Sequence, residues 1–123
     1  MKVVSTTKAP SAIGPYSQAM ISGGMVYTSG QIAIDPESGK IDAVTIEEQT
    51  HQVCRNVKAV LEASGSSLSK VVKTVCFLAD MDDFIVFNAI YAQYFTSKPA
   101  RSCVAVKTLP KNVLVEIDTI AEV

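Results

Sequence analysis

Nine consecutive residues, Val71-Val72-Lys73-Thr74-Val75-Cys76-Phe77-Leu78-Ala79, are β-branched or apolar with one charge among them. Such a run suits a strand buried on both faces near the centre of a sheet, and a strand of that kind obliges the rest of the chain to supply covering layers. Two stretches with helical periodicity are available. In the first, Thr45-Ile46-Glu47-Glu48 has the form of a capping box, a hydroxyl followed three residues later by a carboxylate. Ile46, Val53, Val57, Val60 and Leu61 then recur on one face, Glu47, Gln52, Arg55, Lys58 and Glu62 point elsewhere, and Gly65 closes the run. In the second, Asp82 can cap a helix whose stripe is Phe84, Phe87, Asn88, Tyr91 and Phe95, which sets Asn88 among aromatics.

The remaining patterned segments are β-prone. Residues 17–22 and 25–29 flank Gly23-Gly24, a pair that tolerates the positive φ of a tight hairpin turn, and the second strand is expected to bend at Gly30. Asp35-Pro36-Glu37-Ser38-Gly39-Lys40 is an exposed turn by composition. Residues 102–107 and 113–120 bracket Thr108-Leu109-Pro110-Lys111-Asn112 and read as a closing hairpin. The order is βββαβαββ, an α+β arrangement, and 123 residues leave room for one domain, residues 1–123. Two helices cannot cover both faces of such a sheet, so an apolar face is left over unless subunits pack together.

Charge and composition narrow the function. Lys and Arg total 11 against 12 for Asp and Glu, a net charge of −1, so no global field draws the chain to phosphates or anionic lipid, and nucleic acid is not expected as its main ligand. The long uncharged stretch from residue 9 to 34 holds Pro10, Pro15 and four glycines, which marks β structure and no membrane span. Residues 1–7 lack the apolar core of a signal peptide, and a cytoplasmic protein is expected. Cys54, Cys76 and Cys103 are odd in number, far apart and free of any C-x-x-C, as suits a reducing cytosol. The one histidine, His51, reads as a helix-surface residue, and no metal site is expected.

Polar residues set where the pattern asks for apolar ones are the candidates for chemistry, because an unpaired buried polar group costs on the order of a few kcal/mol. Arg101 precedes an apolar strand and can offer a two-pronged donor set to a carboxylate, although most arginines at such places are surface residues. Glu116 interrupts Val113-Leu114-Val115-Glu116-Ile117, where a solvated face explains it equally well. The closing hairpin would bring Glu116 opposite or one residue off Cys103 and Val104, and register decides whether the acid shares a face with Arg101. Cys103 is a nucleophile only if a cation such as Arg101 lowers its thiol pKa. Ile13-Gly14-Pro15-Tyr16-Ser17-Gln18 and Tyr27-Thr28-Ser29-Gly30-Gln31 are rich in hydroxyls and amides, as ordinary β turns also are.

Taken together and in order, these two segments, Asn88-x-x-Tyr91, Pro99-Ala100-Arg101-Ser102-Cys103-Val104 and Val115-Glu116-Ile117 closely resemble the RidA/YjgF family of imine deaminases, over nearly the whole chain. The resemblance implies a chorismate-mutase-like fold, a mixed sheet with two helices packed on one face, assembled as a homotrimer with clefts between neighbouring subunits. It implies hydrolysis of 2-iminopropanoate and 2-iminobutanoate, imines of the enamines that pyridoxal-phosphate dehydratases release, to 2-oxo acids and ammonia. Arg101 would hold the substrate carboxylate, and Glu116 would deprotonate the attacking water and pass the proton to the leaving nitrogen. Cys103 would contribute backbone groups, while Tyr16, Ser29, Gly30 and Asn88 would line the cleft; no cofactor is implied. The connection from Tyr94 to Pro99 is shorter than in many relatives, so the resemblance does not carry over the exact rim of the cleft, while Arg101 and Cys103 are unaffected. The family also holds regulatory members and some reported as translation inhibitors or ribonucleases. Balanced charge and a single histidine stand against the last, and a carboxylate-sensing regulator is the second reading.

Overall fold

In the computed structural model, which describes residues 1–123, one six-stranded mixed sheet carries two helices. In chain order the elements are β1 (Lys2–Val4), β2 (Ala19–Ser22), β3 (Met25–Thr28), α1 (Ile46–Ala63), β4 (Val71–Leu78), α2 (Phe84–Tyr94), β5 (Ala100–Ala105) and β6 (Val115–Glu122). This is the βββαβαββ order expected from the sequence. The spatial order is β1-β2-β3-β6-β4-β5, antiparallel throughout except for the parallel β4–β5 pair.

The local signals act as their chemistry requires. Gly23 and Gly24, at φ +60° and +76°, turn β2 into β3. The Thr45 hydroxyl accepts the Glu48 N–H at 3.2 Å and donates to the Glu48 carboxylate at 2.9 Å, a cap worth about 1 kcal/mol. At the far end Gly65 takes φ +80°, its N–H bonds Glu62 C=O, and the Ser66 N–H reaches Leu61 C=O, which closes α1 in a Schellman motif. The entry to α2 differs from expectation. Asp82 does not cap it; the Asp80 carboxylate accepts the Asp82 N–H and starts a 3₁₀ turn, Met81–Asp83, that leads into the helix.

Both helices lie on one face. Val53, Val57, Val60 and Leu61 of α1 and Phe87, Tyr91 and Phe95 of the α2 region join Val26, Cys76, Leu78, Val115 and Ile117 of the sheet in one core. Each fully buried Val, Leu or Ile there contributes roughly 1.5–3 kcal/mol.

Two expectations are corrected. First, β5 and β6 form no hairpin: β6 runs between β3 and β4, and β5 lies outside β4 as an edge strand. A pair of β-prone runs around a turn fits either arrangement, and the sequence pattern does not register that α2 supplies the crossover a parallel pair needs. Second, β4 is buried on one face only. Thr74, Cys76 and Leu78 are sealed under the helices, whereas Val75 and Phe77 are half-buried. The run reads as doubly buried because its second face is apolar too. On that open face Val3, Tyr27 and Val104 are 59%, 47% and 46% exposed, the uncovered sheet that two helices were expected to leave. Neither helix is long and apolar enough to cross a membrane.

Candidate active site

Arg101 stands on β5 opposite Thr74 of β4, a residue sealed beneath the helices, so its side chain rises on the helix face. There its Nη1 donates to Asn88 Oδ1 at 2.6 Å. The guanidinium carbon lies 4.9 Å from the Tyr91 ring centroid and 5.4 Å from that of Phe84. Contacts of this kind are worth about 0.5–2 kcal/mol each and fix the plane of the fork. Tyr91 is itself held, stacked on Phe95 at 4.4 Å and linked through its hydroxyl to Thr74 Oγ1 at 2.7 Å. The amide set among aromatics in the α2 stripe is therefore the acceptor that aims Arg101. A cleft of about 640 Å³ opens beside it, with Asn88, Tyr91 and Phe95 on its wall.

Glu116 belongs to the other side. On β6 it pairs with Phe77, one residue out of phase with the row that joins Arg101, Thr74 and Thr119, so its side chain leaves from the open face. Between Tyr27↔Ile120 and Gln31↔Ile117 the β3 side carries one residue more than β6, a bulge that bends the chain at Gly30 as expected. The bend lays the bare Gly30 backbone against the Glu116 carboxylate, where a Cβ would collide with it. Gly30→Ala is accordingly expected to dislodge Glu116 and lower turnover at least tenfold. Gly23→Ala, in the open hairpin turn, is expected to cost stability only, and steady-state kinetics beside thermal melts separates the two.

Burial pushes the Glu116 carboxyl above the ordinary carboxylate range, and the charge of Asp118 adds to it; Asp118 is raised by burial as well. Asp118 had no place among the sequence candidates. The signal was there in Glu116-Ile117-Asp118, an alternation that sets two acids on one strand face. Near them, Ser29 donates its hydroxyl to Ser17 C=O at 2.6 Å and its N–H to Gln18 C=O at 2.9 Å. Tyr16, largely exposed, accepts the Ile13 N–H at 3.4 Å and, with Gly30, lines a second cleft of about 340 Å³.

Cys103 shares the face of Arg101, half-buried against the core and opposite Cys76. Burial raises its thiol pKa, and the Arg101 charge only partly offsets this. The thiol thus stays protonated near neutrality and is no activated nucleophile. Cys103→Ala is expected to keep at least half of the native kcat/KM, whereas loss of all turnover would reveal a thiol role. Cys54 and Cys76 are deeply buried, the latter pushed up to about 12. His51 is not a free surface residue: its Nδ1 lies 2.7 Å from the Tyr94 hydroxyl and ties α1 to the end of α2.

The residues singled out in the sequence therefore form two groups in a single chain. Arg101, Asn88 and Cys103 lie on the helix side, whereas Glu116 and Gly30 meet on the open side with Ser29 and Tyr16 nearby. The proximity of Glu116 to Arg101 suggested by a closing hairpin does not occur within one chain, because β4 separates β5 from β6 and the phase of the register differs.

Residues 6–123 match the model of a family described as endoribonuclease L-PSP. A relative in Lactococcus lactis that carries a regulator's name, AldR, is 51% identical over 100% of this chain and 98% of its own. A Salmonella typhimurium relative named 2-iminobutanoate/2-iminopropanoate deaminase is 47% identical over 98% of this chain and 96% of its own. Among solved structures, that of Escherichia coli TdcF with bound serine superposes with a TM-score of 0.95 at 41% identity, covering 100% of this chain and 99% of that one.

Proposed function

Because the chain belongs to the endoribonuclease L-PSP family, the RidA/YjgF proteins, whose named relatives support imine deamination, we propose that it hydrolyses the small 2-imino acids 2-iminopropanoate and 2-iminobutanoate. What carries this reading is the Arg101 fork, oriented by an amide and two rings at the mouth of a cleft. A planar carboxylate is the ligand that such a fork fits. The serine bound in TdcF, a three-carbon molecule that carries a carboxylate, supports a small carboxylate ligand.

The reaction needs both groups of residues, and one chain holds them on opposite faces of its sheet. Three copies pack through the open apolar face, and each cleft takes Arg101, Asn88 and Cys103 from one copy and Tyr16, Ser29, Gly30 and Glu116 from the next. Arg101 anchors the substrate carboxylate, with Cys103 backbone groups on the edge strand beside the imine. Glu116 takes a proton from water as the oxygen adds to the C=N carbon. Returning that proton to nitrogen gives the amino alcohol; Glu116 then takes the hydroxyl proton and passes it to the same nitrogen as the C–N bond breaks, so that C=O forms and ammonia leaves with the 2-oxo acid. The elevated carboxyl pKa suits an acid that must first accept a proton and then return it. Water is the only co-reactant and no cofactor enters. Residues 1–123 act as one domain, in a reducing compartment that we take to be the cytoplasm, where the free thiols stay reduced.

A second reading, a carboxylate-sensing regulator, is favoured by the name of the Lactococcus relative. A threonine dehydratase reaction separates the two: added protein is expected to accelerate 2-oxobutanoate release, and a rate equal to the uncatalysed hydrolysis would favour the regulator. The ribonuclease activity in the family's description would show as cleavage of RNA by the same preparation.

A further inference from the structure

The cleft beside Arg101 holds a second cation. Lys98 lies on its rim, Thr96 and Pro99 flank it, and none of the lining residues is acidic. In the single chain this space is about 640 Å³ and open, so a ligand anchored at Arg101 can extend toward Lys98. The backbone of Lys98 adds a separate observation. It takes φ +51°, and it immediately precedes Pro99. An L-residue in the left-handed region is disfavoured, and proline further restricts the residue before it. Glycine or asparagine would occupy the position at less cost. A lysine there is the wrong residue for its backbone, which directs attention to its side chain.

We propose that Lys98 is a second carboxylate-binding group, and that the Arg101–Lys98 cleft accepts dicarboxylic 2-imino acids alongside the monocarboxylic ones. Arg101 takes the carboxylate next to the imine, which leaves the reacting carbon in the same place for either substrate. Lys98, exposed and on a flexible stem, meets the distal carboxylate as a point charge. The position falls in the connection between Tyr94 and Pro99, at the rim of the cleft. The inference rests on Arg101 being the carboxylate anchor of the proposed function.

The test uses binding, so that it does not depend on turnover. Calorimetry of the native protein with 2-oxoglutarate and 2-oxobutanoate, oxo acids of the two classes, is expected to show the dicarboxylate binding about fivefold more tightly at low salt, with the preference shrinking as salt rises. Lys98→Asn, which suits the backbone and removes the charge, is expected to bring the ratio to about one, and Lys98→Arg to restore it. A native ratio of one or less, or a preference that survives Lys98→Asn, would overturn the proposal. If the ratio behaves as expected while neither class of imine is hydrolysed, the deaminase reading fails and the two-cation cleft stands.

Discussion

Replacing Arg101 by alanine is expected to lower kcat/KM for 2-iminobutanoate about a thousandfold, the equivalent of about 4 kcal/mol. The size follows from what is lost: a two-pronged charged contact to the substrate carboxylate, and with it the orientation of the imine carbon toward water. Arg101→Lys is not expected to rescue it. Lysine keeps the charge but has no planar fork to lie between the Phe84 and Tyr91 rings or to share donors between Asn88 and a carboxylate. Steady-state kinetics in the dehydratase-coupled assay measures the effect, and near-native activity of Arg101→Ala would remove the substrate anchor from the account. Thermal melts guard against a trivial cause, since the loss should far exceed any change in folding.

The second large effect is expected at Glu116. Glu116→Gln keeps the shape and removes the base, so kcat should fall by about 10²- to 10⁴-fold while binding of a 2-oxo acid stays within a few-fold of native. The pH dependence has a definite sign. The base must be ionised, and burial together with Asp118 raises its pKa, so the acid limb of the native pH–rate profile lies above the ordinary carboxylate range. Asp118→Asn removes the repelling charge and moves that limb to lower pH. Stability runs the other way. Between the ordinary and the raised pKa the folded chain binds more protons than the unfolded one, so stability falls as pH rises through that window. Glu116→Gln should therefore raise Tm near neutrality and give no gain at pH values below the ordinary carboxylate range. A Glu116→Gln protein with native kcat would contradict the assignment.

Much of this architecture was legible because short-range chemistry decides it. Thr45 and Gly65 bound α1, Gly23-Gly24 turn the first hairpin, and Gly30 bends β3, each through a local backbone requirement that the residue type announces. The leftover sheet face followed from having two helices to cover two faces. Illegible were the facts that depend on which strand lies beside which. β5 and β6 look like a hairpin in one dimension, and only the crossover through α2 puts β4 between them. A one-residue phase in that ladder moves Glu116 to the face opposite Arg101. Long-range partnerships were equally hidden. In the sequence the Phe84 and Tyr91 rings read as packing, Thr74 as a strand residue and His51 as a helix-surface residue; in the fold the rings flank Arg101, Thr74 bonds the Tyr91 hydroxyl and His51 bonds that of Tyr94.

The most direct measurement mixes two dead proteins. Arg101→Ala and Glu116→Gln are each expected to be nearly inactive, but a cleft built from Arg101 of one copy and Glu116 of the next becomes whole when an Arg101→Ala chain supplies the acid and a Glu116→Gln chain supplies the fork. Unfolded together in equal amounts, refolded, and verified as mixed trimers by native mass spectrometry, they should recover about a quarter of native turnover per site, the fraction set by random assortment around a three-fold ring. Mixed trimers as inactive as either parent would mean that the two groups never share a cleft.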